Sequence, residues 1–178
     1  MRIIAGKAKG FKLSTPKDLP IRPSSDRVRE ALFNILAPRI AGSRFLDLFA
    51  GTGANGIEAL SRGAAQATFV DSDGRALQVV TENLDRCRLH REAVTCKGRI
   101  PDDLGLVNGP FDIVFADPPY AFEGHEGLLD ALGTHRLVAH GGIVIIEHGK
   151  RATMPETPGP FQHIRRNRYG DTLLSFYA

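Results

Sequence analysis

Hydrophobic positions in this chain follow two periods, and the switches between them lay out its elements. From residue 44 onward, compact apolar runs at 44–50, 67–71, 93–97, 111–116 and 143–147 alternate with stretches at 54–62, 74–86 and around 127–132 whose apolar residues recur every third or fourth position. The runs predict strands and the spaced stretches predict helices, so the alternation predicts βαβ units around a parallel sheet. The runs at 111–116 and 143–147 are apolar almost throughout, as central strands covered on both faces must be. After the proline-rich loop 155–160, segments 163–168 and 172–177 flank Tyr169-Gly170-Asp171 and predict a β-hairpin closing the sheet.

Ahead of this core, Val28, Ala31, Leu32, Ile35 and Leu36 fall at i, i+3, i+4, i+7 and i+8. The spacing predicts an amphipathic helix over 24–37, capped by Ser24, Ser25 or Asp26 and ended before Pro38, with Arg27, Glu30 and Asn34 on its polar side. Residues 1–23, rich in Gly, Lys and Pro, predict an extended basic arm with a short hairpin. A chain of 178 residues is long enough for one well-buried α/β domain and too short for two. The expected organisation is a single domain over 1–178, with the arm at 1–23, the helix at 24–37 and a Rossmann-like core at 44–178.

Composition adds little until charge is resolved along the chain. Hydrophobic residues make up 42% and charged residues 24%, ordinary for a folded soluble protein. The N-terminus has no apolar signal region, and no uncharged run approaches the ~18 residues that span a bilayer, so a cytoplasmic protein without membrane contact is expected. Cys87, Cys96 and the six histidines form no metal-ligand spacing; no metal is expected, and the histidines are assigned no role. The net charge of +3 is segregated: residues 1–42 carry +6, residues 150–168 carry +4, and the stretch between them carries −6. Basic ends around an acidic middle point to a polyanion partner, with Lys7, Lys9, Lys12, Arg165, Arg166 and Arg168 expected on its phosphates. A solvated basic face with no ligand would show the same charge pattern.

The candidate chemistry lies at two strand tips. Asp47-Leu48-Phe49-Ala50-Gly51-Thr52-Gly53-Ala54-Asn55-Gly56 contains G-x-G-x-x-G between a strand and a helix, with Asp71 closing the next strand. This is also the dinucleotide fingerprint. However, a carboxylate four residues before the first glycine repels a pyrophosphate and attracts an ammonium group. S-adenosylmethionine, with its cationic sulfonium and zwitterionic amino-acid end, suits that acidic cradle. Its expected contacts are Asp47, Ala50, Gly51, Thr52, Gly53, Asp71 and Ser72, with Asp71 on the ribose hydroxyls.

The second tip, Asp117-Pro118-Pro119-Tyr120, follows the apolar run 111–116. Two prolines fix φ near −65° and stiffen the exit from the strand. In a doubly wound sheet this strand emerges beside the first, so both tips share one cleft. An exocyclic amine on a purine is a weak nucleophile because its lone pair is delocalised into the ring. Hydrogen bonds from its two N–H groups to the Asp117 carboxylate and the Pro118 carbonyl localise that pair, while Tyr120 stacks on the base. Asp117, Pro118, Pro119 and Tyr120 are therefore the candidate catalytic residues.

Arg22-Pro23-Ser24-Ser25-Asp26-Arg27-Val28-Arg29-Glu30-Ala31-Leu32-Phe33-Asn34, Asp47-Leu48-Phe49-Ala50-Gly51-Thr52-Gly53, Gly56-Ile57-Glu58-Ala59-Leu60-Ser61-Arg62-Gly63-Ala64 and Asp117-Pro118-Pro119-Tyr120 together resemble the RsmD family of small-subunit ribosomal RNA guanine-N2 methyltransferases. The resemblance spans nearly the whole chain, and the Arg22-to-Asn34 block is its specific part. It implies a Rossmann-like class I S-adenosylmethionine-dependent methyltransferase fold: a mostly parallel seven-stranded sheet with a C-terminal β-hairpin and a short basic N-terminal extension. It also implies methylation of a guanine in 16S ribosomal RNA, naked or within a partly assembled small subunit, by a monomer. By position, Arg22, Arg27, Arg29 and Asn34 join Lys7, Lys9, Arg165 and Arg166 as substrate-binding candidates, with Arg29 or Asn34 alternatively bracing the helix against the Asp117 loop. Many members carry an Asp or Asn near the end of strand three. Lys97-Gly98-Arg99-Ile100 has neither, which leaves a backbone group near Arg99 or Ile100 for the adenine ring.

Three other readings stay open on the residues alone. An adenine-N6 methyltransferase acting on DNA or RNA shares both tips, although a DNA enzyme needs a target-recognition region for which the chain has little spare length. A nicotinamide oxidoreductase explains only the glycines. A non-enzymatic RNA-binding module leaves Asp47, Asp71 and Asp117 without a purpose.

Overall fold

The computed structural model describes residues 1–15 and 26–178. Arg22 and the candidate caps Ser24 and Ser25 lie outside the described residues. In chain order the elements are α1 (Asp26–Ile40), β1 (Arg44–Leu48), α2 (Ala54–Ser61), β2 (Gln66–Asp71), α3 (Gly74–Cys87), β3 (Ala93–Lys97), β4 (Phe111–Ala116), α4 (His125–Thr134), β5 (Val138–Gly149), β6 (His163–Tyr169) and β7 (Thr172–Tyr177).

The strands form one sheet in the order β3-β2-β1-β4-β5-β7-β6. The first five are parallel, and β7 runs antiparallel between β5 and β6. This is the class I methyltransferase architecture, the expected seven-stranded sheet with its C-terminal hairpin. Between β1 and β4 the winding reverses, which opens a crevice at their carboxyl ends. Alternation along the strands sorts the core into two layers. Phe45, Phe69, Phe115, Ile145 and Phe176 pack with α1, α2 and α3, whereas Leu46, Val70, Val114, Ile146 and Tyr177 pack with Leu128, Leu129 and Leu132 of α4. Among the described residues no helix is long and apolar enough to cross a membrane.

Three features differ from the sequence expectation. First, α1 passes through Pro38 to Ile40 instead of stopping before the proline. Pro38 is exposed in the last turn, and the single N–H bond it forfeits there is offset by Ile40, only 2% exposed in the core. Second, β5 begins at Val138, five residues before the apolar run, where its pairing with β4 is irregular between Phe111 and Ile113.

Third, the basic arm is a docked hairpin. The Ile3 amide donates to the Phe11 carbonyl (3.0 Å) and the Gly10 amide to the Ile3 carbonyl (2.9 Å), while Ile3, Ala8 and Leu13 are buried. Its anchor is Glu58, fully buried on α2, whose carboxylate accepts the amides of Ile4 (2.8 Å) and Ala5 (3.0 Å) and pairs with Arg62 Nε (2.7 Å). Gly6 makes the close approach possible, since with φ at +82° a Cβ there would sit 1.9 Å from the Ser61 carbonyl oxygen.

Arg29 belongs to this anchor, which corrects its placement among the substrate residues. It is 1% exposed, and Nη2 donates to the Arg2 carbonyl (2.6 Å) and Asp26 Oδ1 (2.9 Å), with Nε 4.0 Å from Glu58. A guanidinium buried beneath the hairpin, with Nη2 making both of these hydrogen bonds, cannot reach a phosphate. It braces the helix against the hairpin, and not against the loop at Asp117.

Candidate active site

Four neighbouring strands each carry one carboxylate near the carboxyl edge of the sheet. Asp47 pairs in register with Phe69 on one side and Phe115 on the other, and Phe115 pairs with Ile145. Asp71, Asp117 and Glu147 each stand two residues beyond that line, about 7 Å further out at ~3.3 Å per residue and on the same face. In sheet order the row runs Asp71, Asp47, Asp117, Glu147, with Asp47 one pleat below the other three.

The outer three line a cavity of about 450 Å³, within the range of small-molecule sites. Phe49, Ala50, Gly51 and Thr52 form one wall, Ser72 and Asp73 continue it, and Asp117-Pro118-Pro119-Tyr120 stands opposite with Glu147 and His148. The sequence reading is thus followed for most of the two tips. Asp47 and Gly53 do not line the cavity; they support it from beneath. Gly53, at φ 76°, starts α2 in a left-handed conformation, and a Cβ there would crowd Val80 at 3.1 Å. Phe49 takes φ 58°, a left-handed conformation that a bulky residue holds only under constraint. Its ring meets Phe122 edge-on at 5.3 Å on the cavity wall.

Electrostatics make the site hungry for a cation. Asp47 is 2% exposed, and its carboxylate accepts the Gly56 amide at 2.8 Å. Burial pushes its carboxyl from an ordinary 3.8 up to about 8; the Gly56 bond opposes that, and the Asp117 and Asp71 charges add to it. Asp71 accepts the amides of Gly51 (2.9 Å) and Asp73 (2.9 Å), one on each oxygen, and each oxygen keeps a further lone pair. Asn55, on the first turn of α2, lines the cavity with its buried Oδ1 lacking any partner among the described residues. An acidic wall, an orphaned amide oxygen and a helix start with no side-chain cap fit a zwitterionic, sulfonium-bearing ligand and would reject a pyrophosphate. S-adenosylmethionine is the cofactor these residues fit.

Several expected contacts fall elsewhere. Arg99 and Ile100 do not line the cavity: the Arg99 amide donates to Asp103 Oδ2 (2.8 Å), and Ile100 packs into the α4 layer. Arg27 and Lys9 line a separate cleft of about 390 Å³ between the hairpin and the start of α1. Asn34 is exposed and lines neither cavity. Arg165 and Arg166 are exposed on the edge strand β6, Arg165 over the Phe176 ring (4.5 Å) and Arg166 Nε donating to Ser175 Oγ (3.0 Å). Lys7 pairs with Glu92 at 3.0 Å.

The sequence reading missed Asn55, His125, Glu147 and His148, all of which line the cavity. Glu147 had the same signal as Asp71 and Asp117, a lone carboxylate closing an apolar strand. The histidines had none: burial holds both below their ordinary value, and His148 Nε2 shares a hydrogen bond with Ser175 Oγ (2.8 Å).

Sheet order, acidic cradle and stiff tip together define a class I S-adenosylmethionine-dependent methyltransferase. Residues 1–178 match the family model described as "Conserved hypothetical protein 95", and the chain belongs to that family, the RsmD family. It is 36% identical over 180 residues to "Putative rRNA methyltransferase YlbH" of Bacillus subtilis, covering 99% of this chain and 98% of that protein. It is 34% identical to "Ribosomal RNA small subunit methyltransferase D" of Escherichia coli strain K12, covering 99% and 89%. Among solved structures, "Putative methyltransferase yhhF from Escherichia coli" superposes with a TM-score of 0.87 at 35% identity, covering 99% and 96%.

Proposed function

We propose that the protein methylates the exocyclic N2 amine of a guanine in 16S ribosomal RNA. The observation that carries this reading is the carboxylate row: Asp71, beside the turn Ala50-Gly51-Thr52, lines the same cavity as Asp117, Pro118 and Tyr120. The names of the relatives direct the acceptor to small-subunit RNA. S-adenosylmethionine supplies an electrophilic methyl group on a sulfonium cation. Asp71 would accept from the ribose hydroxyls, while Asn55 would meet the ligand ammonium, with the Asp47 carboxyl beneath it. Asp117 and the Pro118 carbonyl each accept one N–H of the base, aiming the nitrogen lone pair at the methyl carbon. Asp117 or water would take the proton released from the nitrogen once it carries the methyl group. Tyr120, 63% exposed at the mouth, is placed to stack on a base withdrawn from its neighbours. Incubation with methyl-labelled S-adenosylmethionine should label unmodified small-subunit RNA, and label appearing only in DNA would refute the reading.

Asp47 gives a pH test. Its folded value lies far above its unfolded one, so between about pH 4 and pH 8 the folded state holds a proton that the unfolded state has lost. Stability of the ligand-free protein from this group is therefore full below pH 4 and declines as pH rises to 8. Asp47→Asn keeps an acceptor for the Gly56 amide but removes the charge. The variant is expected to have a higher Tm than wild type at pH 8 and little difference at pH 4, with S-adenosylmethionine affinity at pH 8 reduced about tenfold or more by removal of the charge. Equal Tm differences at both pH values would show that Asp47 does not titrate this way.

The basic ends supply affinity. Lys9 is exposed beside Arg27, whereas RNA must displace Glu92 to reach Lys7. Lys9→Ala combined with Arg165→Ala is expected to weaken RNA binding and reduce the slope of log K against log salt by about 0.7–0.9 for each phosphate left without its cation. An unchanged slope would remove both residues from the interface.

A further inference from the structure

Glu147 is the one carboxylate of the row to which the chemistry above gives no role. It is 8% exposed, follows the apolar run Ile143, Val144, Ile145 and Ile146 within β5, and lines the cavity. Its position in the row decides which ligand it can serve. Asp71 and Asp47 lie on the cofactor side of Asp117, and Glu147 lies on the far side, on the adjacent parallel strand β5. Neighbouring strands stand ~4.8 Å apart, so Asp117 and Glu147 present two acceptors side by side, facing the acceptor substrate.

Guanine presents two adjacent donors on its Watson–Crick edge, the N2 amine and N1–H. Adenine presents a donor and a bare N1 lone pair. Two neighbouring carboxylates match the first pattern and oppose the second, because a carboxylate facing a lone pair is repelled and gains no hydrogen bond from it. We propose that Glu147 selects guanine by accepting the N1–H of the target base while Asp117 holds the N2 amine. This rests on the guanine reading of the site and adds to it the residue that rejects other purines. No bond is made or broken at Glu147; it orients the base and sets its identity.

The test uses 2-aminopurine, which keeps the exocyclic 2-amine but has a lone pair at N1 in place of N1–H. Small-subunit RNA that the wild-type protein methylates is prepared with guanine or 2-aminopurine at the target position, and kcat/KM is compared. Wild type is expected to favour guanine by at least ~10²-fold, since a site built to hydrogen-bond a donor rejects the analogue lacking it. Glu147→Gln is isosteric and can turn its amide N–H toward the N1 lone pair. Its preference for guanine is expected to fall at least ~10-fold, through both a loss on guanine and a gain on 2-aminopurine. S-adenosylmethionine binding by the variant should match wild type, which a merely structural role in the cavity would not preserve. An unchanged guanine to 2-aminopurine ratio in Glu147→Gln overturns the assignment, as does a wild-type protein that accepts 2-aminopurine as readily as guanine, a result that needs no variant to fold. Wild-type transfer to adenine and not guanine would instead overturn the guanine reading, and this inference with it.

Discussion

Replacing Asp117 by alanine is expected to lower kcat for methyl transfer about 10³-fold, within the range for losing a positioned proton acceptor and its orienting hydrogen bond, while cofactor affinity changes by less than about threefold. The separation follows from the row of strands. The cofactor wall is built from the β1 and β2 tips, and the Asp117 charge acts on Asp47 from the neighbouring strand, ahead of the Asp71 charge. Removing that charge also relieves part of the repulsion that keeps Asp47 protonated, so the cofactor pocket has no reason to weaken. Single-turnover kinetics beside calorimetric binding of S-adenosylmethionine measures both quantities. If transfer and cofactor binding fall together, Asp117 belongs to the cofactor pocket and the division of labour along the row is wrong.

The largest stability effect is expected at Glu58, on α2 just beyond the cofactor turn and buried against the hairpin. Glu58→Ala removes the acceptor for two hairpin amides and for Arg62, and takes a counter-charge from buried Arg29. Breaking a buried, hydrogen-bonded charge cluster on one side costs about 3–5 kcal/mol, because the partners stay buried and unanswered. For a chain of this size that corresponds to a fall in Tm of roughly 10 °C or more. Amides of Ile3, Gly10 and Leu13, whose bonds hold the hairpin together, should lose hydrogen-exchange protection before those of the sheet. A loss below about 1 kcal/mol would mean that the hairpin docks through its apolar residues alone.

The hairpin also bears on function, because Met1 lines the main cavity and Asn83 ties Ser14 to the Thr52 carbonyl. The N-terminal segment is thus part of the wall, where the sequence suggested an extended basic arm with a short hairpin. Lys9 and Arg27 line the separate cleft between this hairpin and α1, so their positive charge lies outside the main cavity.

How far these features could be read from sequence depends on the range of the interaction that decides them. Strands 93–97, 111–116 and 172–177 coincide with β3, β4 and β7, because short buried runs bounded by turns carry their own signal. Both tips were legible for the same local reason, a carboxylate and rigid or flexible backbone at the end of an apolar run. Arg29 was not: it follows Val28 at the border of the apolar stripe, and only a glutamate 29 residues away turns that border position inward. Pro38 misled because its helix-ending tendency is local, whereas burial of Ile40 is decided by the tertiary core. Asp47 was expected among the cofactor contacts, yet its place one pleat below the cavity is a matter of register, which no single strand discloses. Glu147 could have been found by the rule that found Asp71 and Asp117. What the sequence lacked was the order of the strands, which alone puts it beside Asp117.

The central claim is that this row of carboxylates delivers a methyl group to the N2 amine of guanine. Its most direct test is to methylate unmodified small-subunit RNA, naked and partly assembled with ribosomal proteins, digest the product to nucleosides and identify the methylated one by mass spectrometry. The account predicts N2-methylguanosine from wild type and none above background from Asp117→Ala. Methyl recovered on adenosine, or on any guanine position other than N2, would contradict it.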